Sequence, residues 1–321
     1  MIFEKSIKNI YSKQFLIRCD DGGSVFYFSS DDFEGLHKEP YSFRAAAGHL
    51  LQGYFYYYDD PISDRLIVFD HGFGGGHRSY MKEIEMLCRH GFLVFAYDHT
   101  GCMESEGKNT NGLAQSLCDL NDCLAALKAD GKCSGRTLSV MGHSWGGFSC
   151  LNIAALHPDI THIVVISGFV SVELMVGQFF NGILKGYRRC ILDIEKSNNP
   201  EFASRSALDA LSKTDAKTLL IYSSDDKMVK KSVHFDALKE VFDSKENISF
   251  LLVDGKGHNP NYTADAVKYK DVFFADFTKK TKKKQLKTQK QKEDFIASYN
   301  WNRMTAQDDA VWEKIFKHLN S

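Results

Sequence analysis

A glycine-rich run from Gly142 to Gly147 holds a serine, Ser144, in a setting that suits a nucleophile. The apolar residues Leu138 to Met141 predict a strand that enters this run, and a helix-forming segment leaves it. A serine at such a strand-to-helix turn has a strained backbone that needs small residues two positions away on each side, and the turn exposes its hydroxyl. Gly142 and Gly146 are those small residues. An ordinary glycine turn is the alternative, and the flanking strand and helix favour the nucleophile.

A candidate base for this serine occurs late in the chain. A serine hydroxyl is a weak nucleophile at neutral pH, so Ser144 needs a base and a further group that orients the base. His258 follows the predicted strand Ile248 to Val253 through the glycine-rich loop 254–257. Such a loop can hold an imidazole over the carboxyl edge of a sheet, which makes His258 the expected base; a structural loop histidine is the alternative.

Two neighbouring carboxylates are candidates for the orienting acid. Asp225 and Asp226 follow the predicted strand Thr218 to Tyr222, so both lie at a strand end. The carboxyl ends of parallel strands meet at one edge of a sheet, where Ser144 and His258 are also expected. The residues alone leave both aspartates open.

Backbone N–H groups are expected to bind the oxyanion that forms when a serine attacks an acyl carbonyl, and one such donor lowers the barrier by about 3 kcal/mol. The N–H of Trp145 directly follows the nucleophile and is one expected donor. The N–H of Phe73, in the glycine-rich loop 71–76, is the other. This loop does not fit a dinucleotide fingerprint, because a G-x-G-x-x-G motif from Gly72 would need glycine where His77 stands, and it lacks the ending of a phosphate loop.

The elements that must position these residues alternate along the chain. Short runs rich in β-branched or aromatic residues are separated by helix-like segments, which is typical of βαβ units in a mostly parallel sheet. The runs are Arg65–Asp70, Phe92–Tyr97, Thr137–Met141, His162–Ser167, Thr218–Tyr222 and Ile248–Val253. Leucines at positions 113, 117, 120, 124 and 127 predict a crossover helix. Three antiparallel strands are predicted upstream, at Phe15–Cys19, Val25–Ser29 and Gln52–Tyr58, with a turn at Asp21-Gly22-Gly23.

Residues 171–216 interrupt this alternation and predict a helical lid insertion. They carry a wide apolar stripe at helical spacing. Two interpretations are equally good: the stripe packs on the core, or it forms the wall of an apolar substrate pocket. Under the second interpretation, Met175, Phe179 and Phe180 are the expected substrate-binding residues.

A second segment outside the pattern, residues 259–308, precedes a final amphipathic helix. It contains the lysine-rich run Lys279 to Lys284, followed by Lys287, Lys290 and Lys292, without interleaved aromatic residues. A solvated helix face is the favoured interpretation, and binding to a polyanion or a membrane surface is the less favoured one.

Composition limits the function classes. The 321 residues are 43% hydrophobic and 25% charged with a formal net charge of −1, which gives no reason to expect a nucleic-acid partner. The residues from Met1 to Ile10 carry charges where a signal peptide needs an apolar core, and no apolar run approaches membrane-spanning length, so a cytoplasmic protein is expected. The eight cysteines form no C-x-x-C pair, and Cys118 and Cys123 would point to different helix faces, so packed thiols rather than metal ligands are expected.

Several of these residues together resemble the α/β-hydrolase superfamily. The resemblance rests on His71 to Gly74, on Asp98-x-x-Gly101-x-x-x-Ser105-x-Gly107, on Gly142-x-Ser144-x-Gly146, on Asp226 and on His258. They stand in the chain order of that superfamily, nucleophile, acid and then histidine. Within it, the chain is similar to the branch of monoacylglycerol-lipase-like esterases and serine aminopeptidases. The resemblance implies one α/β domain over residues 1–321, with a doubly wound, mostly parallel sheet of about eight strands.

The resemblance also implies roles for the site residues. These are catalytic Ser144, Asp226 and His258, with the N–H groups of Phe73 and Trp145 as oxyanion donors. Asp226 is preferred to Asp225 because its spacing to a downstream valine, Val229, is that of the family. Thr100 stands where relatives often carry arginine, which puts any contact of that arginine in doubt.

A cytoplasmic serine esterase is therefore the predicted function. It would cleave carboxylic esters of apolar acyl groups through an acyl-enzyme, and neither a metal nor an organic cofactor is implied. An aminopeptidase or an acyltransferase with the same residues is the alternative, although the sequence reveals no acid that would hold a free amine. A non-catalytic relative that binds a ligand or partner is less favoured, since all three catalytic residues are present.

Overall fold

Eight strands form one sheet in the computed structural model, which describes residues 3–20, 23, 25–59 and 64–321. The strands are β1 (His37–Arg44), β2 (Leu50–Tyr57), β3 (Arg65–Asp70), β4 (Leu93–Tyr97), β5 (Thr137–His143), β6 (Ile160–Ile166), β7 (Lys217–Ser223) and β8 (Ile248–Val253). Their order across the sheet is β1-β2-β4-β3-β5-β6-β7-β8. The pairs β1/β2 and β2/β4 are antiparallel and the other pairs are parallel, so the predicted mostly parallel sheet of about eight strands is confirmed.

Helices cover both faces of this sheet. They are α1 (Glu4–Phe15), α2 (Met81–Arg89), α3 (Gln115–Ala129), α4 (Trp145–Ile153), α5 (Val172–Phe179), α6 (Arg188–Asn198), α7 (Ala207–Ser212), α8 (Phe235–Phe242), α9 (Ala264–Lys282), α10 (Gln289–Ala297), α11 (Trp301–Met304) and α12 (Asp309–Leu319). Short 3₁₀ helices lie at Ser30–Asp32, His77–Tyr80 and Gly182–Tyr187. The predicted crossover helix is α3, whose leucines from Leu117 to Leu127 are fully buried.

Alternate residues of β3 show how the core is divided. Leu66 and Val68 belong to a cluster with α3 and α4, whereas Ile67 and Phe69 belong to a cluster with α2 and α12. All four side chains are fully buried, as expected for a central strand that is covered on both faces. The sheet is therefore doubly wound, and the carboxyl ends of its parallel strands share one edge.

Two of the three predicted upstream strands are wrong, whereas the third, Gln52–Tyr58, corresponds to the antiparallel strand β2. Phe15 ends helix α1, Cys19 forms only an isolated bridge with Cys102, and no strand occurs in the described residues 25–29. Asp21 and Gly22 of the predicted turn lie outside the described residues. The edge strand is instead β1, which the sequence interpretation missed because most of its side chains are exposed and Pro40 interrupts its pattern. An edge strand tolerates proline, which a central strand does not.

The segment 171–216 contains α5, α6 and α7. Helix α1 packs against α6, where the Tyr11 hydroxyl donates to Glu195 Oε1 at 2.5 Å. The same carboxylate accepts from the backbone N–H of Leu113 at 2.8 Å. Residues from three distant parts of the chain are thus tied together beside the sheet.

The segment 259–308 contains α9, α10 and α11. Phe273, Phe295 and Met304 form a small apolar cluster of their own, separate from the two clusters that flank the sheet. Tyr269, Phe277 and Trp301 are among the residues that pack around this cluster.

Candidate active site

Ser144 lies between β5 and α4 in a strained backbone conformation, with φ of 55° and ψ of −107°. Glycine is required on both sides of it. A Cβ atom on Gly142 would lie closer than 3.0 Å to the backbone of Gly146, and one on Gly146 would lie closer than 3.0 Å to the carbonyl oxygen of Asp70. Ser144 is partly exposed although its neighbours on both sides are buried. The turn therefore forces the hydroxyl out of the packed core.

Two hydrogen bonds link Ser144 to a histidine and an aspartate from other strand ends. His258 Nε2 lies 2.8 Å from Ser144 Oγ, and His258 Nδ1 lies 2.8 Å from Asp226 Oδ2. The Asp226 side chain is fully buried, whereas 23% of the His258 side chain is exposed. The structure thus brings together the three residues to which the sequence analysis assigned catalytic roles, in the geometry that a base and its orienting acid require.

Asp226 is held by its own loop as well as by His258. Its Oδ1 accepts hydrogen bonds from the backbone N–H of Met228 at 2.8 Å and of Val229 at 3.0 Å. The other oxygen, Oδ2, is left for the imidazole. The short loop fixes the direction of the carboxylate, which in turn fixes the tautomer of His258.

Asp225, the other candidate acid, points to a different partner. Its Oδ1 accepts from the Ser223 hydroxyl at 2.6 Å and from the backbone N–H of Gly257 at 3.0 Å. The hydrogen bond from Ser223 is the main reason that the pKa of Asp225 is lowered. Asp225 therefore anchors the loop that carries His258 and does not contact the imidazole.

His143, which the sequence analysis did not assign to the site, connects two of its loops. Tyr80 Oη lies 2.8 Å from His143 Nδ1 and accepts from the backbone N–H of Gly72 at 3.0 Å, while His143 Nε2 lies 2.7 Å from the carbonyl oxygen of His258. Burial lowers the pKa of His143 well below its usual range, so its ring is neutral. The Tyr80 hydroxyl then donates to Nδ1, and Nε2–H donates to the His258 carbonyl. In the sequence, His143 occupies the position directly before the serine.

Phe73 and Trp145 present the backbone N–H groups that the sequence analysis expected. Neither N–H is used in another hydrogen bond among the described residues. Trp145 is the first residue of α4, where N–H groups have no partner within the helix. Its indole donates to the carbonyl oxygen of Leu113 at 2.6 Å, and the ring of Phe73 packs edge-on against it at 5.2 Å. Both N–H groups are therefore held in place and available.

A buried cluster of charged side chains packs against the ring of Trp145. His99 lies 3.0 Å from Asp70 and 3.3 Å from Asp119, and its ring packs 4.8 Å from that of Trp145. Burial alone would lower the pKa of His99, but the two carboxylates outweigh it and raise the pKa to about 10. Thr100 donates to Asp119 through its N–H at 2.7 Å and its hydroxyl at 2.9 Å. At this position, where relatives often carry arginine, a threonine binds the buried carboxylate.

A cavity of about 320 Å³ opens beside Ser144 and His258. Its aromatic wall comes from two places that are far apart in sequence: Phe26 and Phe28 precede the sheet, while Phe274 and Trp301 belong to α9 and α11. Phe26 packs against Phe28 at 5.0 Å and against Trp301 at 5.8 Å. The predicted upstream strand Val25–Ser29 and the insertion 259–308 therefore both contribute to the wall of the cavity.

The structure does not bring the expected lid residues Met175, Phe179 and Phe180 to this cavity. Met175 is buried in the core, the Phe179 ring packs 5.9 Å from Phe15, and the Phe180 ring packs 6.4 Å from Tyr11. Helix α1, which the sequence analysis did not predict, covers Phe179 and Phe180 of the apolar stripe. The interpretation in which the stripe packs on the protein's own core accounts for these contacts.

The lysine-rich residues lie at the end of α9, in the connection that follows it and in α10. Most of them are exposed, and Lys290 forms an ion pair with Asp294 at 2.7 Å, one turn further along α10. This arrangement is typical of a solvated helix surface.

Among the described residues, no group of three or more histidine, cysteine, aspartate or glutamate side chains could hold a metal ion. No helix in the described part of the chain is long and apolar enough to cross a membrane. All eight cysteines are free thiols, and six of them are buried.

The fold and the arrangement around Ser144 define an α/β hydrolase of the serine hydrolase class. The particular family follows from the sequence, since residues 61–251 match the model of the serine aminopeptidase family (S33), and the chain belongs to that family.

Individual relatives are more distant. A putative carbamate hydrolase, RutD of Serratia proteamaculans (strain 568), is 30% identical over 128 residues, which are 38% of this chain and 44% of that protein. The match thus spans less than half of that relative. The Pyrococcus furiosus esterase Pf2001 superposes with a TM-score of 0.58 and 17% identity over 84% of this chain and 96% of that one. The Pyrococcus horikoshii acylaminoacyl peptidase superposes with a TM-score of 0.55 and 15% identity over 71% of this chain and 39% of that one. These structural likenesses show the fold.

Proposed function

We propose that this protein is a serine esterase that cleaves carboxylic esters of apolar acyl groups through Ser144, His258 and Asp226. The observation that carries the proposal is the chain of two 2.8 Å hydrogen bonds that links these three side chains at the edge of the cavity. Such a chain lets a neutral imidazole accept the serine proton while a carboxylate stabilises the imidazolium that forms.

The reaction proceeds in two halves. His258 Nε2 takes the proton of Ser144 as Oγ bonds to the carbonyl carbon, and the N–H groups of Phe73 and Trp145 bind the oxyanion. The bond to the alcohol then breaks, and the alcohol oxygen takes the proton from His258. In the second half, a water molecule gives a proton to His258 and bonds to the same carbon. Ser144 Oγ leaves with that proton, and the acid is released.

The apolar acyl group is supported by the aromatic wall of the cavity. Phe26, Phe28, Phe274 and Trp301 can bury several methylene groups, each of which contributes about 0.8 kcal/mol when it leaves water. Phe26 and Phe274 are also partly exposed, so the wall reaches the surface of the protein. The bulk of an acyl chain fits this wall better than a charged group does.

Hydrolysis of p-nitrophenyl esters of increasing acyl length tests the proposal. We expect turnover by the wild type, and a fall in kcat of at least about 10³-fold in the variant Ser144→Ala. Ser249→Ala changes an exposed serine of β8 and is the matched control, with the activity of the wild type expected. Equal rates of ester hydrolysis for the wild type and Ser144→Ala would contradict the proposal and leave a ligand- or partner-binding role.

Amide cleavage or acyl transfer with the same residues is the alternative that the family match favours. Amino-acid p-nitroanilides, assayed with the same three proteins, measure the aminopeptidase activity. Addition of an alcohol acceptor to the ester assay measures transfer, because the acyl group then appears on the acceptor rather than as free acid. We also propose a cytoplasmic location, which the eight free thiols suit.

A further inference from the structure

Two side chains of opposite charge line the cavity next to Ser144 without pairing with each other. Glu83 comes from α2 and Lys270 comes from α9. Their charges interact across the cavity, but no direct ion pair joins these two described residues. Neither residue takes part in the proposed reaction, so both are available to bind a part of the substrate that does not react.

Glu83 is 1% exposed, and only one of its carboxylate oxygens is satisfied. Oε1 accepts from Asn261 Nδ2 at 3.1 Å, and that amide also donates to Gln307 Oε1 at 2.9 Å. Oε2 is buried, and among the described residues no hydrogen bond of normal geometry reaches it, although the Tyr262 hydroxyl and the Gln307 amide lie near the carboxylate. A buried carboxylate oxygen without a donor is costly, and burial accordingly raises the pKa of Glu83. The side chain is held in one position with one oxygen open to a donor.

The ammonium group of Lys270 has more N–H donors than its single hydrogen bond uses. Its ammonium group donates to Asn259 Oδ1 at 3.0 Å and lies 5.3 Å from the centre of the Tyr262 ring. An ammonium group has three N–H donors, so two remain. Burial lowers the pKa of Lys270, because the charge has lost water without gaining a carboxylate in contact. Asn259 directly follows His258, and Lys270 lines the same cavity as Ser144 and His258.

We infer that Glu83 and Lys270 bind the polar end of the substrate, and that this end is a zwitterionic amino-acid group. Its ammonium would donate to Glu83 Oε2, and its carboxylate would accept from Lys270 Nζ. The acyl chain would lie along the aromatic wall, and the ester would join it to the side-chain hydroxyl of the amino acid. The inference rests on the proposed esterase function and names the substrate class of the same site.

The charges of the cavity favour this class over simpler esters. A neutral alcohol would leave a buried carboxylate and a half-buried ammonium with only dipolar partners, and an alcohol with one charge would satisfy one of the two. Arg78 and Lys82 also line the cavity, although Lys82 is engaged with Asn302 Oδ1 at 2.7 Å. Their added positive charge makes an ester with a carboxylate alone the strongest competitor.

Four butyrate esters that differ only in the alcohol provide the test. They are the esters of L-serine, ethanolamine, 3-hydroxypropanoate and 1-propanol, which carry both charges, the ammonium, the carboxylate and no charge. At about pH 6.5 the amines stay protonated and the acyl group does not migrate to nitrogen. We expect the highest kcat/KM for the serine ester, by about ten-fold over the propyl ester, since hydrogen bonds to charged groups are worth that much or more.

Two variants test which of the two side chains recognises which charge of the substrate. Glu83→Gln keeps the shape of the side chain, and we expect it to lower the kcat/KM ratio of the serine ester to the 3-hydroxypropanoate ester by about ten-fold. Lys270→Met keeps the apolar stem, and we expect a similar fall in the ratio of the serine ester to the ethanolamine ester. Each ratio is measured within one protein, so a partly unfolded preparation does not change it.

Binding separates a failure of this inference from a failure of the esterase proposal. O-Butyryl-L-serine is titrated calorimetrically into the inactive Ser144→Ala protein, with propyl butyrate as the comparison. Preferred binding of the serine ester supports the inference even where the wild type hydrolyses no ester. Hydrolysis of p-nitrophenyl butyrate without any preference among the four esters overturns it, as does a preference for the 3-hydroxypropanoate ester or ratios that neither variant changes.

Discussion

The carboxyl edge of the sheet and the wall of the cavity meet at Ser144, but they are constructed differently. At the sheet edge, each polar side chain follows a strand, and close backbone contacts fix it: the turn at Ser144 needs two glycines, and two backbone N–H groups hold Asp226. In the wall, residues 25–28 have no regular secondary structure, and α9 to α11 pack around their own small cluster. The position of Ser144 is therefore set by the central sheet, whereas the wall of the cavity comes from segments outside the sheet.

This difference separates the reaction from the choice of substrate. In the proposed reaction, proton transfer between Ser144 and His258 would depend on distances that the strand ends set, so we expect any change there to alter the reaction itself. The wall carries apolar surface and the charges of Glu83 and Lys270. Under the two proposals above, these groups would contact parts of a substrate that do not react. Changes in the wall are expected to alter which ester is bound rather than whether esters are cleaved.

Replacement of Asp226 by asparagine is the strongest test of the sheet edge. Asp226→Asn keeps the loop hydrogen bonds but removes the charge that stabilises the imidazolium, so we expect kcat for p-nitrophenyl butyrate to fall by about 10⁴-fold. Asp225→Asn is the matched control. Because Asp225 holds the Gly257 N–H and does not contact the imidazole, we expect a loss of about ten-fold or less.

Equal losses in the two variants would contradict the assignment of the orienting acid. A larger loss in Asp225→Asn would reverse it and would mean that anchoring of the loop outweighs the contact with His258. The pH dependence of kcat/KM in Asp225→Asn provides a second readout, because a change confined to loop position lowers the rate without removing the ionisation of the base.

Gly146→Ala tests whether the turn at Ser144 is fixed by packing. The new Cβ would lie closer than 3.0 Å to the Asp70 carbonyl oxygen, a backbone atom that cannot move without its strand. We expect the free energy of unfolding, measured by urea denaturation, to fall by about 3 kcal/mol. Gly177→Ala in α5 is the control, since its nearest neighbours lie at ordinary contact distance and alanine favours a helix. A stable Gly146→Ala protein would show that the turn has room for a larger residue.

The sequence was most informative where a side chain follows a strand. Ser144, Asp226 and His258 each stand after an apolar run, and glycines mark the turns around two of them. Short patterns were therefore enough to predict the parallel strands, the serine and the histidine, and to narrow the acid to Asp225 or Asp226. Buried central strands have continuous apolar sequences, which is why they were found. The choice of Asp226 over Asp225 needed the family resemblance, because both lie at the same strand end.

The sequence was least informative where a residue's role depends on a distant partner. The apolar stripe that contains Phe179 predicted a buried face, but whether α1 or a substrate covers it is a tertiary question that spacing does not answer. Glu83 resembles an ordinary charge in an amphipathic helix, and only the tertiary structure places it at a cavity, where the distant Asn261 donates to it. His143 was missed for the same reason, since its partners Tyr80 and His258 are 63 and 115 residues away.

A matched pair of phenylalanine variants tests which surface binds the acyl chain, the wall of the cavity or the segment 171–216. Phe274 is 44% exposed and lines the cavity, while Phe179 packs on Phe15 away from it. We expect Phe274→Ala to raise KM for p-nitrophenyl octanoate by about ten-fold with little change for the acetate, because only the longer chain reaches that ring. Phe179→Ala should leave the ratio of the two KM values unchanged while lowering stability. If Phe179→Ala shifts the ratio instead, the segment 171–216 binds the acyl chain after all, and the wall formed by α9 is not the surface that selects the substrate.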